Sequence, residues 1–242
     1  MNTAQLILTT MAALIALTIH EFAHGYVAYK LGDGTAKSMG RLSLNPLKHL
    51  DPFGVICMVM FHFGWAKPVP INPRNFKNPR KGFALTAMAG PLTNLIFGFF
   101  TAFLYVLCVS AFRQYDASFL NSLQINTLNF LQFFFIINIG LGVFNLIPVP
   151  PFDGSRILNV ILPAKWYFKV MKYERKIYWC VIAWLLLGNY VYSALMSVPL
   201  IAAVPFLSAL AKLFSLSGIL SDVIMAIANG MLSFWSLILG LR

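Results

Sequence analysis

Four long runs of apolar residues dominate this sequence and restrict what it can fold into. Each run has more than 20 residues, enough for a helix to cross a bilayer core of about 30 Å. They extend over about Gln5 to Leu31, Phe83 to Phe112, Ile125 to Val149 and Ile177 to Val198. The tail from Pro199 to Leu241 is also apolar, but Pro205 and charged residues interrupt it. It has room for one or two further spans.

The composition excludes a soluble globular protein. Only 10% of the residues are charged and 59% are hydrophobic, whereas soluble domains have about 25% charged residues. The predicted fold is therefore an all-α polytopic membrane protein with about five, and between four and six, transmembrane helices. We expect a single integral-membrane domain over residues 1–242, with a core at residues 5–160 and additional C-terminal spans in residues 177–242.

The connection between the first and second spans, Gly32 to Gly82, differs in character from the rest. Within it, Phe53 to Gly64 is apolar but too short to span a membrane, and it is rich in β-branched and aromatic residues. These features favour a small membrane-associated β-hairpin. We expect it to pack on the helices and to offer an edge with which an extended peptide segment could pair as an added strand.

Basic residues flank the spans unevenly. The Gly32 to Gly82 connection has eight Lys or Arg and two Asp, and the connection after the third span has six Lys or Arg between Arg156 and Lys176. The connection after the second span has only Arg113 and Asp116. By the positive-inside rule the two basic connections are cytoplasmic and the N-terminus is outside. The net charge of +11 thus reflects topology, and we predict no nucleic-acid partner.

Ionisable residues interrupt the first span near its predicted cytoplasmic end. The sequence there reads His20-Glu21-Phe22-Ala23-His24. On a helix, residues four apart lie on one face, so both imidazoles can bind one metal ion while Glu21 points beside it. Ionisable groups at membrane depth are costly and usually functional. This pattern is typical of a zinc hydrolase.

A catalytic zinc ion needs a third protein ligand. The candidates near a membrane boundary are His49, His62, Asp51, Asp153 and Asp222. Topology favours Asp153, because the third span returns to the side of the His pair and ends in a proline-rich segment just before this residue. Irregular backbone at this depth is tolerated only where it is buried in protein or lines a cavity. We interpret His49 as a surface or interfacial residue and His62 as a structural one.

Four motifs make the sequence resemble the site-2 protease family of intramembrane zinc metalloproteases, in its short bacterial form without a sensor domain. They are HEFAH at His20 to His24, GWAKPVPINPRNF at Gly64 to Phe76, AGPLTN at Ala89 to Asn94 and FNLIPVPPFDG at Phe144 to Gly154. They occur in the family's order, which is far more specific than a lone His-Glu-x-x-His pattern.

The resemblance implies a role for each of these polar residues. His20, His24 and Asp153 would be the ligands of one Zn²⁺ per chain, and Glu21 the general base. Asn145 would lie near the metal and bind the substrate carbonyl or its oxyanion. Asn94 resembles a further polar residue of the family's core, either a substrate contact or a hydrogen-bonding group between helices.

The predicted function is a zinc-dependent intramembrane endopeptidase. It would hydrolyse peptide bonds of transmembrane or membrane-anchored proteins near the cytoplasmic face, so its partners would be such a substrate and the lipid bilayer. A multi-pass metal transporter and a non-cleaving protease-like scaffold are the alternatives. A transporter would be expected to carry more acids and an internal repeat, and a scaffold would not need every catalytic group.

Overall fold

The computed structural model describes residues 2–54, 56, 67–112 and 122–241, and in these ranges the chain is mostly helical. The helices are α1 (Thr3–Lys30), α2 (Thr35–Ser38), α3 (Pro79–Phe112), α4 (Ser122–Asn145), α5 (Gly154–Ile161), α6 (Ala164–Lys172), α7 (Glu174–Met196), α8 (Pro199–Ala203), α9 (Pro205–Lys212) and α10 (Leu216–Ile238). Among the described residues, five helices are long and apolar enough to cross a membrane: α1, α3, α4, α7 and α10. The predicted all-α class and number of spans are confirmed.

The β-hairpin expected at Phe53 to Gly64 finds no support. Residues 55 and 57–66 lie outside the described ranges, and the described residues contain no β-strand. Residues 52–54 and 56 are helical, because Asp51 accepts a hydrogen bond from the Gly54 N–H at 2.9 Å and Pro52 follows it at the first helical position. An Asp-Pro pair is a common helix start. The β-branched and aromatic residues that follow Pro52 favoured a strand in the sequence-based prediction.

Helices α1, α3 and α4 form the bundle that carries the site. Ala12 and Ala16 of α1 pack against Phe134 of α4, and small residues allow such close approach of membrane helices. Helix α3 approaches α4 at Gly142, where an added Cβ would lie 2.7 Å from the Leu95 side chain. Close packing of these three helices fixes the relative positions of residues that are far apart in sequence.

A second apolar cluster joins α10 to this bundle. Ala102 of α3, Phe135 and Ile139 of α4 and Ala228 of α10 are all buried. The indole N–H of Trp235 donates to the Phe99 carbonyl at 2.9 Å, which links α10 to α3. The C-terminal residues therefore support the bundle from the side of α3 and α4.

Candidate metal centre

Three ligand-type atoms converge from two distant parts of the chain. Asp153 Oδ2 lies 3.1 Å from His20 Nε2 and 3.2 Å from His24 Nε2, and the two imidazole nitrogens are 3.0 Å apart. Both histidines are buried in α1, with 5% and 6% exposure. With Asp153 they form the one group of three potential metal-binding side chains found in the part of the chain that the structure describes. The structure thus brings together the three predicted ligands.

The segment after α4 places Asp153 opposite α1. Prolines at 148, 150 and 151 prevent a continuing helix, and the chain folds back so that Phe152 packs on the Phe144 ring at a centroid distance of 4.3 Å. Gly154 permits this fold, because a Cβ there would lie 2.4 Å from the carbonyl oxygens of Leu146 and Ile147. Asp153 is then followed by α5, and its carboxylate faces the histidines.

The hydrogen bonds of the Nδ1 atoms of His20 and His24 indicate what their Nε2 atoms can bind. His24 Nδ1 lies 2.7 Å from the Thr86 carbonyl oxygen, and His20 Nδ1 lies 2.6 Å from Asn94 Oδ1. Both partners only accept, so each Nδ1 carries the hydrogen and each neutral ring turns a lone pair at Nε2 toward Asp153. Two lone pairs and a carboxylate oxygen within 3.2 Å repel one another unless a cation lies between them. This donor set fits Zn²⁺.

Glu21 lies beside the histidines and is held by backbone. Its Oε2 accepts a hydrogen bond from the Val69 N–H at 2.8 Å. The carboxylate opens into a cavity of about 560 Å³, and Asn145 lines the same cavity. Most of the remaining lining is apolar, including Leu17, Phe83, Phe144 and Ile182. The arrangement combines a carboxylate, an amide and a triad of potential metal ligands in one largely apolar cleft.

The 67–72 segment, which supplies the Val69 N–H, is anchored at both ends. Arg41 Nη2 donates to the Lys67 carbonyl at 2.6 Å. Asp33, whose side chain is buried, accepts from the Asn72 N–H and the Asn75 amide, both at 2.7 Å. Burial alone would raise the pKa of the Asp33 carboxyl, but hydrogen bonds from Thr35, Asn72 and Asn75 bring it below its ordinary value. Asp33 thus acts as an anchor for the segment that contacts Glu21.

An Asp33→Asn variant should loosen this segment. An amide in place of the carboxylate leaves at least one buried donor unpaired, which costs about 1–3 kcal/mol. Limited trypsin digestion should therefore cut after Arg74 faster than in the wild type. Because the folded-state pKa of Asp33 is lowered, its stabilisation is present at neutral pH and is lost as the pH falls below about 4. The difference in thermal midpoint between variant and wild type should shrink over that range, and a pH-independent difference would contradict the assignment.

The other sequence candidates lie elsewhere. His49 is buried, with 1% exposure, rather than on the surface, and its Nε2 lies 2.7 Å from the Ser43 carbonyl oxygen. Asp51 caps a helical turn, and Asp222 pairs with Lys212. His62 lies outside the described residues.

Two predicted site residues and two unpredicted ones complete the surroundings of the triad. Asn145 lines the cavity and its amide donates to the Leu141 carbonyl at 3.0 Å. Asn94 is fully buried and contacts His20, which favours the core-polar role over substrate contact. The sequence did not point to Asn138, which hydrogen-bonds Asn94 at 2.8 Å, or to Gly90 as a close contact of both imidazoles. An amide in the middle of a span was the available signal for Asn138.

Fold and site together define a multi-span membrane metalloprotease. The model of peptidase family M50 matches residues 8–188. The chain belongs to this family, that of the site-2 proteases. It is a zinc metalloendopeptidase, as the sequence predicted, with Zn²⁺ as its cofactor.

Curated relatives agree with this assignment. YwhC of Bacillus subtilis, provisionally named a zinc metalloprotease, is 47% identical over 150 residues, covering 62% of this chain and 67% of the relative. A zinc metalloprotease of Methanocaldococcus jannaschii is 31% identical over 159 residues, which cover 65% of this chain but 35% of that longer protein. Rip2 of Mycolicibacterium smegmatis, also provisionally named, is 26% identical over 190 residues, 68% of this chain and 65% of the relative. No solved structure matches the chain.

Proposed function

We propose that this protein cleaves transmembrane or membrane-anchored proteins within the bilayer, near its cytoplasmic face. The observation that carries the proposal is the depth of the site. His20 and His24 lie inside the candidate span Thr3–Lys30, about 15 and 9 Å before its end at 1.5 Å per residue. The cleft beside them is lined mostly by apolar side chains, which suits the apolar residues of a membrane segment.

In this proposal His20, His24 and Asp153 hold one zinc ion per chain. Bound there, zinc supplies a Lewis acid that brings the pKa of water toward about 7. Glu21, held by the Val69 N–H, takes up a proton from the attacking water and can return it to the leaving amine. The scissile segment has to unwind before attack, because the amides of a spanning helix are bonded within the helix.

Asn145 is proposed as the donor to the developing oxyanion. One hydrogen of its amide bonds the Leu141 carbonyl, which fixes the side chain at the cavity wall and leaves a second hydrogen for substrate. Such a contact is worth about 10²–10³ in kcat. An Asn145→Ala variant should lose that factor and retain its zinc, whereas Asn129→Ala, in the same helix, should behave as wild type. An unchanged kcat in Asn145→Ala would reject the role.

The orientation proposed for the membrane follows the distribution of basic residues. The beginning of α1 would lie outside, and the 67–78 region with the site would face the cytoplasm. Residues 1–242 would then form a single membrane domain in a bacterial cytoplasmic membrane. In intact cells, a membrane-impermeant thiol reagent should label a cysteine placed at Asn2 and spare one placed at Arg74, in a background without native cysteines. The reverse labelling would overturn the orientation.

The substrate class can be tested with the purified chain. The zinc-loaded protein is reconstituted into vesicles with single-span proteins of varied sequence, and soluble peptides of the same sequences are supplied in parallel. Mass spectrometry should locate cuts inside the apolar segment of the spanning substrates, and a zinc chelator should stop them. Preferential cleavage of the soluble peptides would contradict an intramembrane function while leaving the metalloprotease assignment intact.

A further inference from the structure

A line of buried amides leads from the metal centre into the helix bundle. Asn94 of α3 and Asn138 of α4 both have 0% exposure. Asn94 Oδ1 lies 2.6 Å from His20 Nδ1, and Asn94 Nδ2 lies 2.8 Å from Asn138 Oδ1. Neither amide lines the catalytic cavity. Their role is therefore separate from substrate contact.

Backbone carbonyls fix the direction of each hydrogen bond in this line. Asn138 Nδ2 donates to the Phe134 carbonyl at 2.8 Å, and a carbonyl can only accept, so Asn138 must turn its oxygen toward Asn94. Asn94 then donates both of its amide hydrogens, one to Asn138 and one to the Ala16 carbonyl at 3.2 Å. Its own oxygen is left facing His20. His20 consequently carries its hydrogen on Nδ1 and presents the Nε2 lone pair to the metal centre.

The two histidines differ in how this orientation is secured. His24 donates directly to the Thr86 backbone carbonyl at 2.7 Å, which no substitution of a side chain removes. His20 depends on the side chain of Asn94, and an amide can rotate by 180° to present its NH₂ group instead. A rotated Asn94 would favour the imidazole tautomer with hydrogen on Nε2, which leaves no lone pair on that nitrogen for the metal centre. Asn138 opposes that rotation because its oxygen accepts from the Asn94 NH₂ group at 2.8 Å, a shorter contact than the 3.2 Å to the Ala16 carbonyl, which opposes it too.

We propose that Asn138 is a positioning residue for zinc, acting through Asn94 to hold His20 in its metal-binding tautomer and orientation. The inference rests on the proposed ligand role of His20. Groups that orient a ligating histidine contribute about 10–100-fold to metal affinity. A purely structural amide between membrane helices would instead stabilise the helix packing alone. The two roles therefore differ in what they do to zinc binding.

The test measures zinc affinity, independently of activity, on the whole 242-residue chain in detergent by competition with a chelator. Asn138→Ala and Asn138→Leu both remove the amide, and leucine has the same branched shape and fills at least the same space, so packing loss cannot explain an effect common to both. Each should weaken zinc binding about 10–100-fold. Asn138→Asp, whose neutral carboxyl group can still donate to Phe134 and accept from Asn94, should stay close to wild type. Asn129→Ala, the same change elsewhere in α4, is the matched control.

Two results would overturn the inference. One is wild-type zinc affinity in both Asn138→Ala and Asn138→Leu, even if thermal unfolding of the metal-free proteins shows lower stability, because that pattern describes structural support alone. The other is an Asn138→Asp variant as weak as Asn138→Ala. A wild-type protein that binds no zinc at all would instead reject the proposed function, so the two failures are distinguishable.

Discussion

A Glu21→Gln variant should bind zinc as tightly as the wild type and cleave its substrate about 10²–10⁴-fold more slowly, the usual contribution of a general acid-base group. Glutamine keeps the size of the side chain and an oxygen that can accept the hydrogen bond now made by the Val69 N–H at 2.8 Å. It cannot take up a proton. The change therefore removes proton transfer and leaves the three candidate ligands in place.

The measurement is a single-turnover cleavage rate in vesicles, with zinc per chain determined on the same sample. Asp222→Asn is a suitable control, because this exposed carboxylate pairs with Lys212 and does not line the catalytic cavity. It should cleave at the wild-type rate. Normal cleavage by Glu21→Gln would exclude Glu21 as the base, and loss of zinc from that variant would place Glu21 in the metal site instead.

A Gly90→Ala variant should lose zinc and activity together. An added Cβ at this position would lie 2.5 Å from His24 Nε2 and 2.7 Å from His20 Nε2, too close for atoms that are not bonded. Both rings are buried and are held at Nδ1 by Asn94 and Thr86, so they cannot move away without breaking those hydrogen bonds. A displacement of about 1 Å at a reacting site costs on the order of 10²-fold in rate, and here both histidines are displaced.

Metal analysis of the purified variant should show well under one zinc per chain, and its cleavage rate should fall at least as far. Gly230→Ala is the matched control, because it makes the same change in a candidate spanning helix at a point where a Cβ would meet nothing within 4 Å. It should retain zinc and activity. A fully zinc-loaded Gly90→Ala protein would show that the imidazoles do not occupy the positions described.

The candidate site could be predicted largely because its parts obey local rules. His20 and His24 are one helical turn apart, so any helix through them places both rings on one face. Asp153 could be selected by topology, since an even number of crossings separates it from the His pair. The contacts of Glu21 could not be predicted in this way. Its partner is the backbone of Val69, 48 residues away, and Asp33 and Arg41 hold that segment in place.

Other errors and omissions have specific physical causes. The apolar residues after Asp51 indicated a strand, yet the cap that Asp51 provides and the fixed backbone of Pro52 start a helical turn there. His49 lies among polar residues in sequence and is nevertheless buried, and the hydrogen bond between its Nε2 and the Ser43 carbonyl oxygen offsets part of the cost of burying a polar ring. Asn138 is one of several amides in the spans, and only its contact with Asn94 in the structure links it to the metal centre.

The sequence by itself determined the membrane-spanning helices and the metal-binding pattern on α1, because hydrophobic length and helical spacing are properties of single segments. The family followed from the resemblance of its four motifs to those of the site-2 proteases. Only the tertiary structure decided which faces of α1, α3 and α4 meet. That choice depends on close contacts such as Gly90 against the imidazoles and Gly142 against Leu95. The packing of these helices forms the hydrogen-bonded line from Asn138 through Asn94 to His20, in which successive residues are 44 and 74 positions apart in sequence. Periodicity along one helix contains no information about its neighbours, so the support of the metal centre became visible only once the helices were packed.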